Sequence, residues 1–253
     1  MDRREFAFLE TLVFFTEAKT VLEVGVQRGD MAVYLAKAAD RNDGRYVGMD
    51  IWSQHGLKNQ FEAIGSKDSV SKKLIAAGAK NFELVQIDTL NDKTTLNATL
   101  KSLFPDGIDF AFIDACHSYY GVASDFFSVY PFMSEVGVIA FHDTLRIDGC
   151  REFMLDLRTK YYDGTFDLID FPFGSGSRRC GVSVLSKRAF PNLPLGIDEV
   201  CGSLNTARNI ELKEVAWYEA EVAAVSASIE KFSLVKEDLI TDNIGFYNRK
   251  KFS

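Results

Sequence analysis

The sequence predicts an α/β fold: a mostly parallel, seven-stranded sheet with helices on both faces, ending in an antiparallel hairpin. Three observations predict it. Short apolar runs of strand length alternate with helix-length amphipathic stretches from residue 21 to about residue 162, the pattern of a parallel sheet covered by helices. Acids or histidines close several of those runs, at Asp50, Asp88, Asp114, His142 and Asp143, and the carboxyl ends of parallel strands are where such sheets bind ligands. The rhythm then changes. Two strand-like runs at 166–171 and 181–185 are joined by a stretch rich in Gly, Ser and Arg, which reads as a hairpin.

The elements follow in order. Residues 3–18 predict a helix with Phe6, Leu9, Leu12, Val13 and Phe14 on one apolar face. Strands are expected at 21–24, 45–50, 82–87, 109–113 and 137–141. Helices are expected between them at 30–39, 68–79, 92–103 and 120–133, with a last one at 148–162. From Pro191 two prolines punctuate a linker, a helical pattern rich in Ala, Glu and Val occupies 209–232, and the tail ends in Arg249-Lys250-Lys251. The chain thus divides into an N-terminal helix (1–18), an α/β domain (19–190) and a helical C-terminal extension (191–253), the last a candidate contact between identical subunits.

Composition narrows the function classes. Hydrophobic residues make up 47% and charged residues 26% of 253 positions, ordinary for a globular protein. The 29 basic and 36 acidic residues leave a net charge of −7, which argues against nucleic acid as a partner. No apolar run approaches the eighteen or so residues of a membrane span. The acid-bearing start, Met1-Asp2-Arg3-Arg4-Glu5, leads into an amphipathic pattern instead of a signal peptide. Cys116, Cys150, Cys180 and Cys201 lack CxxC spacing, so the expectation is reduced thiols in a cytoplasmic protein.

The loop after the first strand reads Val24-Gly25-Val26-Gln27-Arg28-Gly29-Asp30. Glycine permits a tight turn and close approach to a ligand, and the helix beyond offers free N–H groups. Asp50, ending the second strand, is placed to bind ribose hydroxyls. Asp88, ending the third, stands within reach of an adenine amino group or serves as a turn residue. Val26, Ile51 and Thr89 adjoin these positions and complete the candidate cofactor set with Glu23, Gly25, Gln27, Gly29, Asp50, Asp88 and Asp114. Dinucleotide loops favour G-x-G-x-x-G, whereas Gln27 stands where the second glycine would be. The acidic Glu23 also suits a zwitterionic amino-acid tail better than a diphosphate. S-adenosylmethionine (SAM) is therefore favoured over NAD.

Two of only three histidines sit at strand ends, in Asp114-Ala115-Cys116-His117 and His142-Asp143. If those strands are neighbours, Asp114, His117, His142 and Asp143 converge on one small volume. Imidazole and carboxylate together hold a divalent metal or move a proton. The candidate roles are His117 and Asp114 in catalysis and Asp114, His142 and Asp143 as ligands of Mg, Mn or Fe. The plain alternatives are that Asp114 and Asp143 cap helices and that His142 is a satisfied core histidine. Tyr119 and Tyr120 read as packing or pocket-lining residues, the stretch from Trp52 past His55 to Lys67 as a lid or plain loop, and Arg178 and Arg179 as solvated or anion-binding.

Glu23-Val24-Gly25-Val26-Gln27-Arg28-Gly29, Asp50, Asp114-Ala115-Cys116-His117-Ser118-Tyr119 and His142-Asp143-Thr144 together resemble a class I SAM-dependent methyltransferase with a Rossmann-like sheet. The closer likeness is to macrolide-sugar O-methyltransferases and cephalosporin-hydroxylase-like proteins, and it covers about residues 18–187. In metal-dependent members, the resemblance implies, an acid at the Asp114 position and two acids at the 142 and 143 positions hold magnesium. A histidine at the His117 position is the base in some of them. His142 stands where an acid is usual.

The leading expectation is a metal-assisted O-methyltransferase acting on a hydroxylated small molecule such as a sugar, diol or catechol. A second expectation is a non-haem iron oxygenase built on His117, His142 and Asp143, which have the two-histidine, one-carboxylate composition of such sites. A third is a SAM-binding module without turnover.

Overall fold

The computed structural model describes residues 3–52, 65–173 and 180–188. Its centre is a set of five parallel strands: β1 (Thr20–Val24), β2 (Arg45–Asp50), β3 (Phe82–Gln86), β4 (Ile108–Ile113) and β5 (Met133–His142). An antiparallel pair, β6 (Phe166–Phe171) and β7 (Val182–Lys187), completes a seven-stranded sheet in the order β3-β2-β1-β4-β5-β7-β6. The expected class is the one found. The order reverses direction at β1, whose neighbours β2 and β4 lie on opposite sides, and a crevice opens at such a switch point.

Side chains alternate between two cores, as a period of two demands. Ala111 and Ile113 of β4 and Ile139 and Phe141 of β5 face a cluster with Leu100, Phe126 and Phe153. Those three come from helices α4 (Lys93–Leu103), α5 (Tyr119–Val129) and α6 (Asp148–Thr159). Phe110 and Phe112 face the opposite cluster with Leu9, Leu35 and Leu74, from helices α1 (Arg3–Phe15), α2 (Asp30–Arg41) and α3 (Lys67–Ala76). Burial on both faces explains why the strands read as continuous apolar runs.

Local chemistry sets the boundaries. Ser118 caps α5 by accepting from the Gly121 N–H at 3.0 Å, and Asp92 caps α4 through the Thr95 N–H at 3.1 Å. Residue Pro131 falls in a 3₁₀ turn, Tyr130–Phe132, so α5 stops short of the expected residue 133 and the chain enters β5 four residues early. A register shift between Ile108 and Phe110 absorbs the extra length. Helix α6 ends at Thr159 instead of 162.

The compact unit comprising the described residues runs from Met1 to Pro191. Residues 53–64 of the lid stretch with His55, Arg178 and Arg179, the pattern at 209–232 and the basic run at 249–251 all lie outside the described residues. Among the described residues, no helix is long and apolar enough to cross a membrane.

Candidate cofactor cleft and catalytic cluster

The loop after β1 is shaped by glycine. Gly25 has φ +97°, its N–H donates to the Met49 carbonyl at 2.9 Å, and a Cβ there would overlap the Asp114 backbone. Only a residue without a side chain lets the ends of β1 and β4 come this close. Gly29, at φ +74°, forms the N-cap of α2, and its N–H closes a turn onto the Val26 carbonyl at 2.8 Å.

Asp50 ties this loop to β2. Its Oδ2 accepts from the Gln27 N–H at 2.8 Å and its Oδ1 from the Trp52 N–H at 2.7 Å. The Trp52 indole N–H returns a bond to the Gln27 carbonyl at 3.2 Å. Asp88 accepts from the Leu90 and Asn91 N–H groups, each at 3.0 Å, so its turn role is realised while it also lines the cleft.

Glu23 is fully buried and accepts a short hydrogen bond from the Tyr46 hydroxyl. Burial raises its carboxyl to about 8; the Tyr46 bond opposes this, and Asp114 and Asp50 reinforce it. An acid held in this state responds strongly to any cation brought beside it.

A cleft of about 610 Å³ opens at the switch point, within the usual range for small-molecule sites. Glu23, Gly25, Val26, Gln27, Asp50, Ile51 and Thr89 line it together with Asp114, His117, His142 and Asp143. Of the sequence-derived set Gly29 alone lies outside the lining, acting through the turn it permits. Phe6, from α1, also lines the cleft. Sequence reasoning placed Phe6 only on an apolar helix face, because the packing of α1 beside the site leaves no local signal.

Parallel pairing of β4 with β5, Ile113 opposite Phe141, brings the two strand-end motifs together. Asp114 Oδ1 lies 3.1 Å from His117 Nε2 and 3.1 Å from His142 Nδ1. Asp143 Oδ2 stands 3.5 Å from His117 Nε2, and Asp143 Oδ1 stands 3.7 Å from His142 Nδ1. Asp143 adopts φ +57°, a left-handed conformation uncommon outside glycine. Its Oδ1 is buried without a hydrogen-bond partner among the described residues. Neither acid caps a helix with its side chain: Ser118 does so for α5, and the N-cap of α6, Ile147, makes no side-chain cap bond.

Electrostatics follow from the crowding. Burial would raise Asp114, but the His142 and His117 charges and hydrogen bonds outweigh it and hold the carboxyl below its usual range. His117 is raised, first by its bond to Asp114, against a smaller opposing effect of burial. Burial alone would lower His142; the charge and hydrogen bond of Asp114, then Glu5 and Asp143, push it up to about 10. Tyr119 is a packing residue, donating to Asp156 Oδ2 at 2.6 Å and meeting Phe153 edge-on, while Tyr120 is exposed.

Residues 22–144 match a family model described as a methyltransferase domain. Comparison with curated proteins yields no match. Among solved structures, the chain is similar to the O-methyltransferase TomG from Streptomyces achromogenes, in complex with SAM. That likeness has 15% identity and a TM-score of 0.57, and covers 74% of this chain and 81% of that one. An O-methyltransferase from Bacillus cereus, in complex with SAH, gives 17% identity, a TM-score of 0.58 and coverage of 74% and 82%. An rRNA methylase from Streptococcus thermophilus gives 13%, 0.52, and coverage of 72% and 95%. At these identities the likeness is one of fold, and the acceptors of the neighbours differ in kind. The match over residues 22–144 and the switch-point sheet together show that this chain has the Rossmann-like fold of the methyltransferases it is similar to.

Proposed function

We propose that this protein is a SAM-dependent O-methyltransferase that methylates a hydroxyl of a small molecule, with His117 as general base and Asp114 as its orienting carboxylate. The observation that carries this reading is the Asp114–His117 contact, 3.1 Å at Nε2, on the wall of the cleft shared by the candidate cofactor residues. A proton on Nε2, donated to Asp114, fixes the tautomer and leaves Nδ1 as the basic nitrogen, as in other acid-oriented imidazoles. Half-exposed at the cleft, His117 can meet an incoming hydroxyl; Asp114 cannot leave.

The reaction balances simply. The acceptor oxygen forms a bond to the methyl carbon as the carbon–sulfur bond breaks, the hydroxyl proton passes to His117, and the sulfonium leaves as a neutral thioether. The enzyme's main task is alignment of oxygen, carbon and sulfur, which supplies up to roughly 7–11 kcal/mol in ideal cases. Proton removal adds about 10²–10⁴-fold.

The cluster also fits a divalent metal. Ligand atoms of Asp114, His117 and Asp143 all lie within 4.8 Å of one another, and the buried Asp143 Oδ1 has no hydrogen-bond partner among the described residues. Asp114 and Asp143 would hold the ion, with His142 Nδ1 beside them at 3.1 Å from Asp114, and His117 would remain the base. A bound ion would supply Lewis acidity that lowers the hydroxyl pKa, and a vicinal diol or catechol matches that design.

Calorimetric titration with SAM, with and without manganese or magnesium and with NAD as control, tests the reading. Donor binding followed by methyl transfer to diol or catechol acceptors, lost in His117→Ala with SAM binding intact, is the expected result. SAM binding with no turnover on any hydroxylated acceptor points to a module without catalysis. Iron and oxygen dependence without consumption of donor moves the assignment to an oxygenase.

A further inference from the structure

We infer that Glu5, His142 and Cys180 form a second metal site, for zinc, which fastens α1 to the sheet beside the cleft. The site goes beyond the methyl-transfer reading and draws on α1, β5 and the segment before β7, sharing with the catalytic cluster only the His142 ring, whose Nδ1 faces Asp114.

Four observations converge. First, one ligand atom from each of Glu5, His142 and Cys180 lies within 4.8 Å of the other two. Second, His142 is only 6% exposed, and its Nε2 makes no hydrogen bond of ordinary geometry among the described residues, facing the Glu5 carboxylate instead. That nitrogen points at the cluster, with Glu5 Oε2 at 3.5 Å. Third, the other ring nitrogen is already engaged: Nδ1 is 3.1 Å from Asp114 Oδ1. A histidine that donates one N–H to a carboxylate and presents the other nitrogen to a pocket has the arrangement of metal-bound imidazoles. Fourth, Cys180 is held in place by backbone, its carbonyl accepting from the Leu145 N–H at 2.9 Å. The Arg146 guanidinium stands 3.7 Å from its Sγ; burial and the Asp143 carboxylate outweigh it and push the thiol up, so metal binding would displace the thiol proton.

The donor set selects the metal. One thiolate, one imidazole and one carboxylate are a borderline-soft combination suited to zinc, and three protein ligands leave a fourth position open. Magnesium, which prefers oxygen ligands, is disfavoured by the sulfur. Phe6 lines the cleft immediately after Glu5, so fixing Glu5 fixes one wall of the cavity.

The full-length chain, purified without chelator, is analysed for metal content and reconstituted with cobalt(II). The expected result is stoichiometric zinc and, in the cobalt form, a near-ultraviolet thiolate-to-cobalt charge-transfer band. Cys180→Ser removes the band, Glu5→Gln keeps it with weaker cobalt affinity, and Asp114→Asn keeps it with affinity lowered about 10–100-fold. Circular dichroism establishes that each variant is folded; should Cys180→Ser not fold, Glu5→Gln decides. Absence of both zinc and band, a band that survives Cys180→Ser, or cobalt affinity unchanged in Glu5→Gln overturns the site. None of these readouts uses methyl transfer, so their failure leaves the proposed enzymatic function standing, and loss of that function leaves the site standing.

Discussion

Gly25 presses so closely on Asp114 that a side chain on the first would occupy the carbonyl of the second. The turn that shapes the glycine loop and the proposed orienting carboxylate therefore share one steric constraint. Backbone at φ +97° adds to it.

Gly25→Ala is accordingly expected to be costly twice over. A left-handed alanine costs about 1–3 kcal/mol, and relief of the overlap must push β1 and β4 apart. Urea unfolding should show a loss of at least about 1–3 kcal/mol, and calorimetry should show SAM binding abolished. Unchanged stability and unchanged SAM affinity would refute the close-approach argument.

His117→Ala is expected to lower kcat by about 10²–10⁴-fold while leaving SAM affinity within a small factor. Single-turnover kinetics and calorimetry on the same preparation separate the two effects. Equal losses in binding and rate would make His117 a structural residue.

The pH dependence carries a sign. The bond to Asp114 raises His117 above its ordinary value of 6.5, and a base acts only when neutral. The kcat/KM for methyl transfer in metal-free buffer is therefore expected to climb with pH, with its midpoint above 6.5. A flat profile, or a midpoint below 6.5, would count against the dyad.

Glu23 and His142 predict the stability profile. Glu23 is raised from 4.5 to about 8, so across that window the folded protein binds a proton that the unfolded chain has released, and stability falls as pH rises. His142 is raised from 6.5 to about 10; its contribution is fully present below 6.5 and is lost as pH climbs to about 10, the same direction. Metal-free protein should therefore melt at progressively lower temperature from pH 5 to pH 10. Glu23→Gln should flatten the part of that slope below about 8, as read by calorimetric scans at fixed ionic strength. A slope of opposite sign would mean that these groups titrate normally.

Glu23→Gln should also weaken SAM binding by about tenfold or more at high pH, since a hydrogen bond to a charged group contributes about 1.5–3 kcal/mol. Equal affinity in both proteins across pH 6–9 would show that the carboxylate faces Tyr46 alone.

Much of this was legible in the sequence, for identifiable reasons. The runs ending at Asp50, Asp114 and His142 read as strands because burial on both faces leaves no polar interruption, and strand ends are ligand positions in parallel sheets. Convergence of His117 with Asp143 required only that β4 and β5 be neighbours. Other features leave no trace in composition or period. Asp143 takes a left-handed turn that aspartate tolerates better than most residues, but its type alone does not call for one. Glu5 and Cys180 meet His142 only through the packing of α1 and the return of the chain into β7, distant in sequence and local only in space. The premature end of α5 was readable at Pro131, but the register shift that accommodates it was not.

The placement of β7 has a consequence for how the site comes into being. Its residues Val182 to Ser186 pair along His142 to Val138, so the strand that carries His142 has ladder partners on both sides only after the last described strand has docked. Until then β5 is an open edge, and the imidazole at its end sits on an unpaired rim. The candidate site thus depends on a strand that lies beyond every residue of its lining, and a chain halted before residue 182 would leave His142 on an unpaired edge.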